Sequence, residues 1–443
     1  MKKSFLVPVI IALLTALILA GCAQPTASPT KPAAPAPAPT TAAPPPAPTT
    51  QAPAPAPPPP QPTTQAPQPT QAPAPPAAKT IKVGIIYGLT GPDSPHQIME
   101  RDCALMAIDW VNEKGGITIN GEKYLLVGDV ADNKGTPPGS IDAATKLVEQ
   151  DQVKFVIGCV IPVQADSVAS VTEKAKVLYI ATYTDVMHAD RPLYFTSHYS
   201  FAAPVPILYQ VLLDKYQGIK TMGYLVEDEP GARAVGDLSM MIAKSRGLTT
   251  LDPITHPWEA SDYYPQWTKM ISMNPDAVDQ GLKLPNNTAG SVKQARELGY
   301  KGPIIAAIPG DPNVLVQIMG KDAANDFINS SFDPYGPNMP PMVQEILKRW
   351  EAKFKTKFDP DGTQSWDSIY VLSQVLQKAQ SLDPATVAKA WEGIQTLDTA
   401  CGPAKMGGGK TWGINHMVFG PAPVSIFKQG QIVLQGWFDS FIP

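Results

Sequence analysis

Cysteine is scarce in this 443-residue chain, with four residues at positions 22, 103, 159 and 401. Spacings that wide match no zinc or cluster motif and leave no framework for a disulfide-rich scaffold. Charge of either sign is also poor in pattern. Lys and Arg number 35 against 39 Asp and Glu, for a net charge of −4, and the cations are scattered. The basic stripe that a nucleic acid would require is missing. Beyond the first twenty-odd residues no apolar run is long enough to span a bilayer. No Gly-x-Ser-x-Gly elbow or His-Glu-x-x-His pair is present. Gly409-Lys410-Thr411 looks like the end of a phosphate loop, but Ala404 stands where that loop needs glycine. Asp359-Pro360-Asp361-Gly362 reads as a turn and is too short of ligands for a calcium loop.

What is present begins at the amino terminus. Lys2 and Lys3 precede an apolar run from Phe5 to Leu19, and Leu19-Ala20-Gly21-Cys22 closes it. A short apolar core behind two cations has the form of a secretory signal. The final four residues resemble the bacterial lipobox, which implies cleavage before Cys22 and a diacylglycerol on its thiol. An ordinary signal with an incidental cysteine is the alternative. The lipid reading predicts a protein of the cell envelope. It would be anchored to the outer face of the cytoplasmic membrane, or to a periplasmic face where the bacterium has two membranes. With Cys22 so assigned, at most one disulfide can form among Cys103, Cys159 and Cys401.

Residues 23–78 hold 22 of the chain's 50 prolines and no glycine, aromatic, leucine, isoleucine or valine. Such a segment cannot build a core. Proline fixes φ near the polyproline II value, so an extended tether is expected. The competing reading, a ligand for proline-binding modules, has one basic PxxP in its favour, Pro29-Thr30-Lys31-Pro32.

From Lys79 onward the composition changes to regular apolar segments with mixed charge, long enough for two domains. Thr80–Tyr87 is apolar almost throughout, as a sheet strand covered on both faces would be. Strands at Tyr124–Val130, Lys154–Gly158 and Val177–Ala181 alternate with helical patterns, giving βαβα order. The pattern restarts with strands at Thr221–Val226, Ala277–Gly281 and Ile304–Ile308. A helical block follows over Met342–Phe354, Gln364–Ala379 and Pro384–Ile394, with short strands after about Asn415. The fold class expected is α/β, with two doubly wound lobes. Lobe 1 is assigned residues 79–198 plus 333–405 and lobe 2 residues 199–332 plus 415–443, after a signal at 1–21 and a tether at 22–78. Paired lobes of this kind hold a ligand where the carboxyl ends of their strands face each other.

Particular residues now carry a family. Ile81-Lys82-Val83-Gly84, Leu89-Thr90-Gly91-Pro92 and Val111-Asn112-Glu113-Lys114-Gly115-Gly116-Ile117 resemble the opening of the branched-chain amino-acid binding proteins. Those proteins are substrate-binding components of ABC importers. The likeness continues at Phe155–Gly158, Asn274–Val278, Lys293–Gly299 and Ser365-Trp366-Asp367. It implies a type 1 periplasmic-binding-protein fold with three crossovers, here near His198, Phe332 and Met406–Asn415. It also implies capture by closure and delivery to a membrane permease, with no bond made or broken, no cofactor and no metal. The runner-up is a ligand sensor that reports to a receptor.

The pocket departs from the family's pattern. Hydroxyl residues that hold an α-carboxylate are replaced by Cys159-Val160-Ile161-Pro162-Val163-Gln164, and proline removes a backbone donor there. Tyr183 takes a small-residue position and Asp185 that of a threonine. The family's acid falls near Ile308, and His96 stands where a tyrosine covers the ligand. The ligand-binding candidates are therefore His96, Val163, Gln164, Tyr183, Asp185, Asp228 and Trp366. Each has a bland counterpart: a strand cap at Val163, core filler at Tyr183, a turn cap at Asp185, exposed surface at His96. Asp228 and Glu229 open a helix, where acids complement the dipole without any ligand. Losing the hydroxyl pair favours a small hydrophobic or aromatic organic solute over an unmodified branched-chain amino acid.

Overall fold

The computed structural model describes residues 78–442 apart from 92, 185, 258, 259, 308 and 309. The signal, Cys22 and the proline-rich segment lie outside the described residues, as do Asp185 and Ile308.

The first sheet contains β1 (Lys79–Tyr87), β2 (Ile117–Ile119), β3 (Glu122–Asp132), β4 (Phe155–Gly158), β5 (Leu178–Ala181) and β6 (Tyr194–Thr196). Their order is β2-β3-β1-β4-β5-β6, parallel except for β2 against β3. Helices α1 (Ser94–Glu113), α2 (Pro137–Thr145) and α3 (Pro162–Thr172) make the connections. The apolar run of β1 has its expected cause. Val83, Ile85, Ile86 and Tyr87 are all fully buried because helices cover both faces of the central strand.

The chain crosses past His198 into α4 (Val205–Lys215) and enters the second sheet. That sheet holds β7 (Thr221–Glu227), β8 (Thr249–Thr250), β9 (Ile254–His256), β10 (Ala277–Asp279), β11 (Ile304–Ala306) and β12 (Phe327–Asn329). Helices α5 (Pro230–Ser245), α6 (Tyr264–Ser272), α7 (Pro285–Glu297) and α8 (Pro312–Met319) connect these strands. After Phe332 the chain returns, and α9 (Pro341–Phe354), α10 (Gly362–Ala379) and α11 (Pro384–Glu392) join the first core. A small sheet follows, of β13 (Leu397–Thr399), β14 (Gly402–Gly407) and β15 (Met417–Phe419), with the short helix α12 (Gly409–Trp412) inside it. Last, β16 (Pro421–Lys428) and β17 (Gln431–Asp439) add antiparallel strands to the second sheet, ordered β17-β16-β12-β11-β10-β7-β8 with β9 beside β7.

Proline outside the tether has a distinct use. Pro137, Pro162, Pro230, Pro285, Pro312, Pro341 and Pro384 each open a helix, where the absent N–H leaves no bond unmade. The third passage between lobes falls later than residues 406–415. The Thr196 N–H donates to the His416 carbonyl at 2.9 Å, so residue 416 is still tied to the first sheet's edge. The entry into β16 follows at Gly420. Cys103, Cys159 and Cys401 are all free thiols.

Two helices fix the floor of the first lobe. Where α10 meets α1, a side chain at Gly362 would sit 2.4 Å from the Cys103 sulfur. Only glycine allows that approach. The contact anchors the start of α10 and with it the Asp359–Asp361 turn. In that turn the Asp361 N–H donates to Asp359 Oδ1 at 3.0 Å.

Candidate functional site

The carboxyl ends of the parallel strands and the crossover segments meet at one cavity of about 30 Å³. Lobe 1 contributes Tyr183, just beyond β5, and the Pro360–Gln364 stretch at the start of α10. The crossovers contribute His198, Tyr199, Phe201, Ser330, Ser331 and Phe332. Ala307, at the end of β11, closes the side toward the second sheet. The free volume is room for a water or two, far below the ~300 Å³ at which organic ligand sites begin. Entry of a guest therefore requires the walls to part.

The walls are aromatic. Tyr183 stacks on Phe201 with centroids 4.1 Å apart and meets His198 edge-on at 5.4 Å. His198 and Tyr199 are themselves 3.9 Å apart. Burial pushes the His198 imidazole down to about 4, so it is neutral near pH 7.

Acceptor oxygens complete the lining. Asp361 reaches the cavity from the α10 turn, and Gln364, 4% exposed, leaves Oε1 without a partner. Behind Asp361 stands His96, whose ring nitrogens are 3.8 Å from Asp361, 3.5 Å from Glu100 and 3.7 Å from Asp93. Burial lowers the His96 pKa, but the nearby carboxylates of Asp93, Glu100 and Asp361 outweigh it and hold it at about 10. Burial lifts Glu100 to about 7 against the pull of His96. Asp361 is pushed well above the usual carboxylate range by burial and by Asp359.

The sequence candidates separate on this geometry. Tyr183 lines the cavity, and His96 lies one residue behind its wall, against Asp361. Val163 is 57% exposed on the first turn of α3, away from the lining. Gln164 is buried, and its Oε1 accepts from Asn133 Nδ2 at 3.0 Å, so its amide oxygen holds the loop after β3. Asp228 is exposed and paired with Arg233. Trp366 is fully buried in the first core, 5.7 Å from Trp110, because α10 turns that face toward α1. Its side chain packs in that core and is not among the residues lining the cavity. Asp185 is outside the described residues.

His198, Tyr199, Phe201, Asp361 and Gln364 were not among the candidates. The crossover near His198 and the Asp359–Gly362 turn were visible in sequence, but nothing local said that they converge.

A second polar group lies at the carboxyl ends of β7, β9 and β10. Glu227 and Lys283 are fully buried, and neither Glu227 oxygen has a hydrogen-bond partner. Lys283 Nζ contacts Gln280 Oε1 at 3.4 Å and sits 4.6 Å above the Tyr263 ring. Burial pushes Glu227 up and Lys283 down, each opposed by the other's charge. The Tyr263 and Trp267 side chains pack in the second lobe's core.

The sequence pattern of the periplasmic binding proteins matches residues 80–422. The chain belongs to that family. The leucine-, isoleucine-, valine-, threonine- and alanine-binding protein of Pseudomonas aeruginosa is 24% identical to it over 340 residues, 74% of this chain and 85% of that one. Among solved structures, a branched-chain amino acid transporter substrate-binding protein from Streptococcus pneumoniae, in complex with isoleucine, has a TM-score of 0.66 at 17% identity. It covers 82% of this chain and 100% of its own. A solute-binding protein of an ABC transporter from Rhodopseudomonas palustris BisB5, in complex with 3,4-dihydroxybenzoic acid, also scores 0.66, at 20% identity, covering 82% and 97%. The family resemblance and the type 1 fold read from the sequence agree with these findings. Relatives of this periplasmic binding protein are solute binders rather than enzymes, and their family works outside the cytoplasm.

Proposed function

We propose that this chain captures a small hydrophobic or aromatic organic solute, or an amino acid, and hands it unchanged to an ABC permease. The observation that carries this reading is the cavity beside the first two crossovers, walled by Tyr183, Tyr199, Phe201 and Phe332. Hinges that line a ligand's own chamber couple occupancy to lobe position, since the guest contacts parts that move apart on opening. Lobe 1 is assigned residues 79–198 plus 333–405; lobe 2 is assigned residues 199–332 and, since His416 is bonded to Thr196 of the first sheet, a closing segment that begins after 416 rather than at 415. Relatives named for leucine, isoleucine and valine, and a fold neighbour holding a dihydroxybenzoic acid, bracket the range of guests.

Cys22 carries the lipid, and residues 23–78 space the binding body from the membrane. Cys22→Ala should move the protein from the membrane fraction to the soluble fraction.

Capture is tested by thermal-shift measurement with amino acids, aromatic acids, aromatic amines, amides and urea, followed by calorimetry. A guest that binds only the folded form raises the midpoint. Scattering should show a more compact particle with that guest. If no member of the panel shifts the midpoint or the scattering, the reading fails.

A further inference from the structure

The cavity's charge is of one sign. Hydroxyls such as those of Tyr183 and Tyr199 can donate or accept, but the charged group in the lining is the Asp361 carboxylate, the Gln364 Oε1 beside it is unpartnered, and no lysine or arginine is among the described residues that line it. The surrounding charge has the same sign. Asp93, Glu100 and Asp361 all lie within 4 Å of His96, which among the described residues is the one basic group paired with them. Asp359 adds a further carboxylate through the turn that holds Asp361. From the second lobe, Asp311 at the start of α8 also acts on Asp359 and Asp361. One imidazolium cannot balance that many carboxylates. Glu100 illustrates the imbalance: it is fully buried, and the cation beside it is the His96 ring that Asp93 and Asp361 also share.

The rings point the same way. Aromatic faces are electron-rich and attract cations, most strongly where water is excluded. A carboxylate ringed by aromatic side chains, with a spare amide oxygen beside it, suits a compact organic cation. It repels a carboxylate guest.

We propose that the solute carries an ammonium group, seated against Asp361 and Gln364 Oε1 among the rings of Tyr183, Tyr199, Phe201 and Phe332. This deepens the capture reading and rests on it. It separates amines and amino compounds from benzoate-like acids, which the same aromatic walls would otherwise admit. His96 is then a positioning residue. It neutralises part of the acidic cluster in the empty protein and leaves Asp361 short of a cation until the guest arrives.

Three probes of nearly equal shape test the idea: benzylamine, benzyl alcohol and benzoate, titrated by calorimetry into the folded protein at pH 7.5. Benzylamine should bind at least tenfold more tightly than the alcohol, with benzoate silent. Asp361→Asn should weaken benzylamine tenfold or more while leaving the alcohol within about twofold. Asp361→Glu should restore part of the loss. Gln364→Leu, which leaves the charge cluster alone, should weaken benzylamine by a smaller factor. Equal or tighter binding of benzoate or benzyl alcohol overturns the ammonium assignment but leaves capture standing. So does an Asp361→Asn protein, folded by circular dichroism, that binds benzylamine as well as wild type. Silence toward all three probes also overturns it, and capture is then judged by the wider panel.

Discussion

The ring of Tyr183 lies almost parallel to that of Phe201, centroids 4.1 Å apart. Tyr183 extends from the end of β5 and Phe201 from the first crossover, so the stack fastens the first sheet to a hinge. Stacked aromatic pairs contribute about 0.5–1.5 kcal/mol beyond the area they bury. Phe201→Ala should therefore cost about 1–3 kcal/mol in urea unfolding. It should also weaken the panel compound with the largest thermal shift by tenfold or more, which is ~1.4 kcal/mol. Unchanged affinity would show that the stack serves only the hinge.

Trp366 gives the opposite expectation. It is fully buried in the first core, and its neighbour Trp110, which meets Tyr370 edge-on, packs against that core. Trp366→Leu should cost about 2–4 kcal/mol of stability through the cavity it leaves. The order of preference among panel compounds should stay the same. A folded variant that changes that order would return Trp366 to the site.

These two aromatics show what was legible in the sequence. The central strands could be read because both faces of β1 and β4 are covered, which forces continuous apolar runs. Strands of three residues, such as β6 and β12, are too short to display any period. Trp366 shares a face of α10 with Ile369 and Leu372, and that helical spacing marks a core position. The family motif around it drew attention to a ligand instead. Asp361 was visible only as part of a turn. Its role depends on Gly362 packing against Cys103 some 260 residues earlier in sequence, a contact that no local pattern encodes.

Buried histidines set the acid limb of stability. Burial depresses His256 to about 4, with Lys283 adding to the effect, and the ring is 2% exposed. In the unfolded chain its pKa is ~6.5. The folded form therefore binds fewer protons, so stability is full above ~6.5 and is lost as pH falls toward 4. His256→Gln should flatten that part of the curve by about 2–3 kcal/mol. His96 runs the other way. Held at about 10, it contributes stability that is complete below ~6.5 and disappears as pH rises through 10. His96→Gln should therefore lower the midpoint at pH 7 and converge on wild type at strongly alkaline pH. Melting curves from pH 4 to 11 would expose either error of sign.

Glu227 and Lys283 allow a test of coupling at the far side of the cleft. Both are fully buried, yet their side chains make no direct ion pair; among the described residues Lys283 Nζ meets Gln280 Oε1 and the Tyr263 ring, and the Asp279 charge also acts on it. Each charge is raised in energy by burial and relieved in part by the other. Removing one partner leaves its companion without that relief, whereas removing both also removes the cost of taking two charges out of water. Glu227→Gln and Lys283→Met should each destabilise, by about 2–4 kcal/mol. The double variant should lose less than the sum, with an interaction energy of about 1 kcal/mol or more. Losses that simply add would mean the two groups ignore one another, and the buried amine would then have to be held by Asp279 and Gln280 alone.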